Sequence, residues 1–165
     1  MKKLLLIPVL FLMALHVSAQ TSSKPAYLKY PVIPQFTLLN TDSLVITKDV
    51  LPKKTKTMLM YFSPGCDHCQ VQTDNMIQNI DKFRDVEILM ITNQPFEDMK
   101  AFYEGKNLTR YKNIIMGQDT KFFFPPYYKM QNLPFMALYD KQGNFITTFE
   151  GTTAIDKIVT AFNRK

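Results

Sequence analysis

Residues 58–73 read MLMYFSPGCDHCQVQT. Met58 to Phe62 is a continuous apolar run. A run of that length reads as a strand buried on both faces, which points to parallel pairing. Beyond it a helical stripe begins. Cys69, Met76, Ile77, Ile80 and Phe83 fall near one face with Thr73 between them, while Asp74, Asn75, Gln78 and Asp81 face away. The chain's only two cysteines, Cys66 and Cys69, sit at the junction, where the carboxyl end of a strand meets a helix. In open α/β sheets that edge is where sites are built.

Outward from this stretch, strands and helices alternate. VEILMIT at 86–92 and NIIMG at 113–117 read as two more buried strands, with a helix over Pro95–Tyr103 between them that ends near Gly105. Asp119 is placed to cap a short helix in KFFFPPYYKM, residues 121–130, whose aromatics read as core packing; an apolar platform for a partner is the alternative. FMALY and NFITTF flank DKQG as a β-hairpin, and FTLLN and SLVIT flank TD as another. Thr153 with Asp156 resembles a capping box, and Ile155, Ile158, Val159 and Phe162 give a closing helix its apolar face. The expected fold is α/β: a central mixed β-sheet flanked by helices on both faces, with an N-terminal β-hairpin extension.

The first nineteen residues read as an address. Lys2 and Lys3 precede an apolar core from Leu4 to Leu15, and Val17-Ser18-Ala19 is a small-residue cleavage site. The expected organisation is a signal peptide at 1–19, a proline-marked arm at 20–33 and one domain at 34–165. An uncleaved N-terminal anchor is the alternative. Loss of Lys2 and Lys3 takes the formal charge from +6 to +4. No run of Lys and Arg or glycine–aromatic interleaving points to nucleic acid. The ten methionines read as core filling. Asn107-Leu108-Thr109 fits a glycosylation acceptor and reads as chance.

Four roles are open to the cysteine pair. As a structural staple it would close a loop of two intervening residues, which removes little chain entropy. As a zinc clip it lacks ligands, since four are wanted and the mature chain offers two Cys and one His. Covalent haem needs His directly after the second Cys, where Gln70 stands. A reagent remains. Cys66 at the helix mouth faces unpaired N–H groups and the positive end of the helix dipole, which favour a thiolate; Cys69 falls on the buried stripe, which does not. Cys66 is therefore expected to attack first and Cys69 to resolve the mixed disulfide. Between them, His68 and Asp67 are candidates for redox tuning, of opposite sign. Alternatively His68 is a solvated surface residue and Asp67 caps the helix. No metal and no cofactor is expected.

Taken together, MLMYF, FSPGCDHC and NLPFMALYDKQGNFITTFEG resemble a thioredoxin-fold protein, over about Pro34 to Phe162. They are similar to the exported TlpA/ResA-like, redoxin or AhpC-TSA-like thiol–disulfide oxidoreductases of Gram-negative bacterial type. The resemblance implies a cis proline at Pro134, preceded by Leu133, facing the cysteines. It also implies substrate contacts from Leu133, Pro134 and Pro64. Three positions depart from the family pattern. Met60 stands where thioredoxins carry a buried Asp, Gln72 where an acidic residue is common, and Phe62 to Gly65 where a tryptophan often precedes the motif.

The expected function is an exported, periplasmic and soluble thiol–disulfide oxidoreductase acting as a reductase. Its expected partners are cysteine-containing exported proteins and a membrane electron donor, with no nucleic acid, and the chain is expected to be a monomer. A dithiol oxidase or isomerase is one alternative. A thioredoxin-fold binding module with a non-catalytic pair is the other.

Overall fold

A computed structural model describes residues 24–163; the signal-peptide reading of 1–19 lies outside them. The chain forms α1 (Ala26–Lys29), β1 (Thr37–Asn40), β2 (Val45–Thr47), β3 (Lys56–Tyr61), α2 (Asp67–Gln78), β4 (Val86–Thr92), α3 (Phe96–Gly105), β5 (Ile114–Gln118), α4 (Phe124–Tyr128), β6 (Phe135–Tyr139), β7 (Phe145–Glu150) and α5 (Ile155–Phe162). The sheet has seven strands in the order β2-β1-β5-β4-β3-β6-β7. β3, β4 and β5 run parallel, as their unbroken apolar runs require, and the hairpins β1–β2 and β6–β7 add antiparallel edges. This is the thioredoxin-like fold.

Strand periodicity divides the core in two. Met58, Met60, Ile88, Met90, Met136 and Leu138 point to one face, where α2, α3 and α5 pack over them. The crossovers β3-α2-β4 and β4-α3-β5 advance in the same direction along the sheet, and right-handed crossovers then share a face. Leu59, Tyr61, Leu89, Ile91, Phe135, Ala137 and Tyr139 point to the other face, under α1, α4 and the arm. In α5, Ile155, Ile158, Ala161 and Phe162 are buried. Each of the large ones contributes about 1.5–3 kcal/mol by leaving water.

The second face is aromatic. Tyr128 stacks near Phe124 and Phe135, Tyr27 reaches it from the arm, and the Tyr128 and Tyr139 hydroxyls hydrogen-bond to each other. So most of the aromatic segment packs inside, although Phe122 remains exposed. The start of α4 leaves no donor unmet. Asp119 accepts from the Phe123 and Phe124 amides at 2.9 and 3.0 Å, and the next two residues are Pro125 and Pro126, which have no N–H. The Tyr61 hydroxyl, by contrast, is buried with no hydrogen-bond partner among the described residues.

Two local expectations are corrected. The capping box at Thr153 does not form: Ala154 is the N-cap of α5 without a side-chain bond, and the Thr153 hydroxyl donates to the Gly151 carbonyl. Its backbone N–H is engaged elsewhere, which pulls the residue out of capping geometry. The stripe after the cysteines is also not one helix. α2 ends at Gln78 and a 3₁₀ turn carries Ile80–Phe83, so Phe83 is buried while Ile77 and Ile80 are only partly covered.

Gly117 lies where β5 meets β1, and a Cβ there would come within 2.8 Å of the Leu38 Cβ. Gly117→Ala is expected to destabilise the protein by ~1–3 kcal/mol in chemical denaturation. Tyr61→Phe, which removes an unpaired buried hydroxyl, is expected to leave stability unchanged or raise it by up to about 1 kcal/mol.

Candidate active site

β3 is paired on both sides to its last residue, Tyr61 with Ile91 and with Phe135. The chain leaves the sheet after Phe62, whose N–H still reaches the Ile91 carbonyl at 2.9 Å. Ser63, Pro64 and Gly65 turn it into α2, closed by the Cys66 amide donating to the Ser63 carbonyl at 3.1 Å. The Gln70 side-chain amide donates to the Pro64 carbonyl at 3.0 Å and ties the turn to the helix it starts.

Cys66 is the N-cap of α2, the position usually held by Ser, Thr, Asp or Asn. Its Sγ accepts the Cys69 amide at 3.4 Å. Negative charge on this sulfur is met by a backbone donor and the positive end of a helix. Asp67 therefore does not cap the helix; it is the first helical residue, and exposed. Cys66 is half-buried and Cys69 is 0% exposed. An incoming sulfur can touch only the first. Burial pushes the Cys69 thiol from 9.0 up to about 12, the Cys66 sulfur adds to the rise, and a backbone hydrogen bond at Ser63 opposes it. Both cysteines are free.

The Leu133–Pro134 peptide is cis, and Pro134 is buried. The β3–β6 register, which pairs Tyr61 with Phe135, brings Pro134 to the sheet end from which the cysteine turn leaves. Leu133 and Cys66 both pack against the core beneath that turn. Pro64 lines a groove of about 470 Å³ with Ser63, Gly65, Gln94, Asp98 and Phe102. A larger cleft of about 1080 Å³, lined by Lys48, Lys53, Lys54 and Lys141, opens beside Thr55 and Thr57 at the other end of β3, away from the sulfurs. Among the described residues, no group of three or more His, Cys, Asp or Glu side chains is gathered to hold a metal ion. No described helix is long and apolar enough to cross a membrane.

One part of the site escaped the sequence reading. The segment Glu150–Thr153, from the last residue of β7 onward, straps the two halves together. Glu150 accepts from the Asn132 backbone at 2.9 Å, and the Gly151 amide donates to the Pro134 carbonyl at 2.9 Å. The Thr153 amide donates to the Gln72 side-chain oxygen at 2.7 Å. Gln72 is 1% exposed and one turn beyond Cys69, so its departure from the acidic pattern is a buried hydrogen bond. Thr152 reaches exposed His68. Spacing along α2 predicts the burial of Gln72, because 69, 72, 73 and 76 share a face. Nothing local marks Thr152 or Thr153, which lie more than 80 residues from the side chains they touch.

The AhpC/TSA family profile matches residues 31–155, and the chain belongs to that family. No curated protein sequence matches. Among solved structures, a secreted disulfide oxidoreductase of Mycobacterium tuberculosis is similar at 19% identity and a TM-score of 0.63, covering 78% of this chain and 95% of that one. StoA from Bacillus subtilis is similar at 17% identity and a TM-score of 0.61, covering 79% and 98%. The peroxidoxin BcpB of M. tuberculosis is similar at 12% identity and a TM-score of 0.66, covering 81% and 96%. At these identities the likeness is one of fold. With family, fold and dithiol in agreement, the chain is a thiol–disulfide oxidoreductase.

Alkylation of the reduced native protein near neutral pH is expected to modify Cys66 alone, with Cys69 reacting only after unfolding; peptide mass mapping reads this directly. Cys69 also holds its proton more tightly folded than unfolded. Its contribution to stability is complete below pH 9.0 and is lost as the pH rises towards about 12. Cys69→Ala is expected to remove that part of the alkaline loss in denaturation curves collected across the range.

Proposed function

We propose that this member of the AhpC/TSA family is an exported reductase of protein disulfides, with Cys66 as nucleophile and Cys69 as resolving thiol. The observation that carries this is the inequality of the two sulfurs: one capped by a backbone N–H at a half-open helix mouth, the other sealed one turn inside. The Cys66 thiolate attacks a substrate disulfide, a Cys66–substrate bond forms, and the first substrate sulfur leaves with the electron pair of the broken bond. Cys69 then gives up its proton and attacks the Cys66 Sγ. The Cys66–Cys69 bond forms, the second substrate sulfur leaves, and the enzyme is oxidised as the substrate is reduced. A membrane donor restores the dithiol.

The environment of Cys69 supports the reducing direction. A dithiol whose thiolates are poorly stabilised gives its electrons up readily, whereas strong oxidants stabilise the reduced form. Leu133 and Pro134, at the sheet end from which the cysteine turn leaves, and Pro64 within that turn serve as the substrate-side wall. The leader-like residues 1–19 support export to a periplasm, where cysteine-containing exported proteins are the substrates. His68 between the cysteines favours the oxidising alternative. When protonated it stabilises a neighbouring thiolate, and exposure screens that effect.

Cys69→Ser is expected to trap substrates as covalent adducts through Cys66 under export conditions. An empty trap, with partner binding retained in Cys66→Ser, overturns the enzyme reading in favour of a binding module. The reduction potential of the pair is expected near that of thioredoxin, about −270 mV; a value above about −200 mV overturns the direction.

A further inference from the structure

His68 is the one imidazole in the described chain, and its ring is held from the opposite side of the site. The Thr152 hydroxyl lies 3.4 Å from His68 Nδ1 and 3.5 Å from the His68 backbone carbonyl. These are long contacts, but the backbone on either side of Thr152 is anchored. The residue before it is fixed by the Gly151 amide on the Pro134 carbonyl at 2.9 Å. The residue after it is fixed by the Thr153 amide on buried Gln72 at 2.7 Å. Gly151 sits at φ +70, a left-handed turn that glycine accepts without strain and that aims the strap back across α2.

The hydrogen count is compatible with one tautomer in particular. A hydroxyl has a single proton to give. Donation of that proton to the His68 carbonyl leaves a hydroxyl lone pair facing Nδ1, an arrangement that a ring with hydrogen on Nδ1 completes. In the neutral ring this leaves Nε2 as a lone pair on an exposed side chain two residues from Cys66.

We propose that Thr152 is a positioning residue that holds His68 in its Nδ1–H form, making Nε2 the proton acceptor for thiols that approach Cys66. When a partner thiol attacks the Cys66–Cys69 disulfide, Nε2 takes the thiol proton as the new sulfur–sulfur bond forms at Cys66. The old bond breaks, Cys69 leaves with its electron pair, and it is then protonated. In the reducing direction the steps reverse, and protonated Nε2 returns the proton to the departing substrate thiolate. No outside reagent is needed. The titratable residues flanking His68 along its own helix are Cys66, Asp67 and Cys69, and Thr152, which reaches the ring from the strap, is uncharged. The use of the proton rests on the thiol–disulfide reading; the tautomer does not.

Nitrogen-15 NMR of the imidazole tests it, comparing the wild type with Thr152→Val and Thr152→Ser. Both substitutions are at an exposed position, so the fold is expected to survive them. Wild type and Thr152→Ser are expected to show a protonated Nδ1 and a bare Nε2, and Thr152→Val to shift towards Nε2–H. Exchange with a small dithiol is expected to slow about three- to tenfold in Thr152→Val in both directions, with recovery in Thr152→Ser and no change in reduction potential. A wild-type ring already in the Nε2–H form, or a Thr152→Val ring unchanged from wild type, overturns the positioning role. A shifted tautomer with unaltered exchange rates overturns the proton-transfer role. A wild type inert towards dithiols indicts the oxidoreductase reading instead, and leaves the tautomer to be judged on the spectra alone.

Discussion

The two-sided pairing of β3 governs the site. A central strand bonded to both neighbours through Tyr61 cannot bend within the sheet, so all of its change of direction falls on Ser63–Gly65. The helix that follows must then start at the sheet's edge, and the residue at its start becomes the cap. Here that residue is a cysteine. The same pairing aligns β6 in register and so carries the cis Leu133–Pro134 peptide to the edge where the cysteines lie. The placement of Cys66 and of Pro134 at one sheet edge follows from one strand's hydrogen bonds.

Helix periodicity makes the two sulfurs unlike. Three residues along a helix turn the direction of a side chain enough to go from its mouth to its buried stripe. The first sulfur replaces a hydroxyl or carboxylate as acceptor for an end-of-helix N–H, and the second enters an apolar core beside Met76 and Thr73. No charged side chain is required to distinguish them. The two sulfurs are thus unequal although Met60 and Gln72, not acids, stand on the strand before them and the helix after them.

Much of this was legible in the sequence because it is periodic. The apolar runs at Met58–Phe62 and Val86–Thr92 exceed what a half-exposed strand tolerates, and they read correctly as parallel and buried. The cysteine spacing and the proline ahead of FMALY pointed to a helix mouth and a cis peptide that the structure contains. What the sequence did not show was non-local. The Thr153–Asp156 pattern matches a capping box, yet the Thr153 amide is drawn to Gln72, and a long-range bond overrode a short-range motif. Asp67 looked like a cap because carboxylates usually are; the sulfur next to it took the position. The contact of Thr152 with His68 depends on the β6–β7 hairpin returning the chain to α2, and no local window of residues encodes that.

The strap also sets an order of assembly. A chain is made, and threaded through any translocon, from its amino end. Cys66 and Cys69 therefore emerge together with β3 and α2, more than 80 residues ahead of the segment that buries Gln72 and braces His68. Until β7 is in place, the helix carrying the sulfurs lacks its anchor at Thr153, and the proline loop lacks the bond from Gly151. The reactive pair is thus the first part of the site to exist and the last to be finished. A newborn chain passes through an interval in which its thiols are present before the bonds that brace their helix and the proline loop.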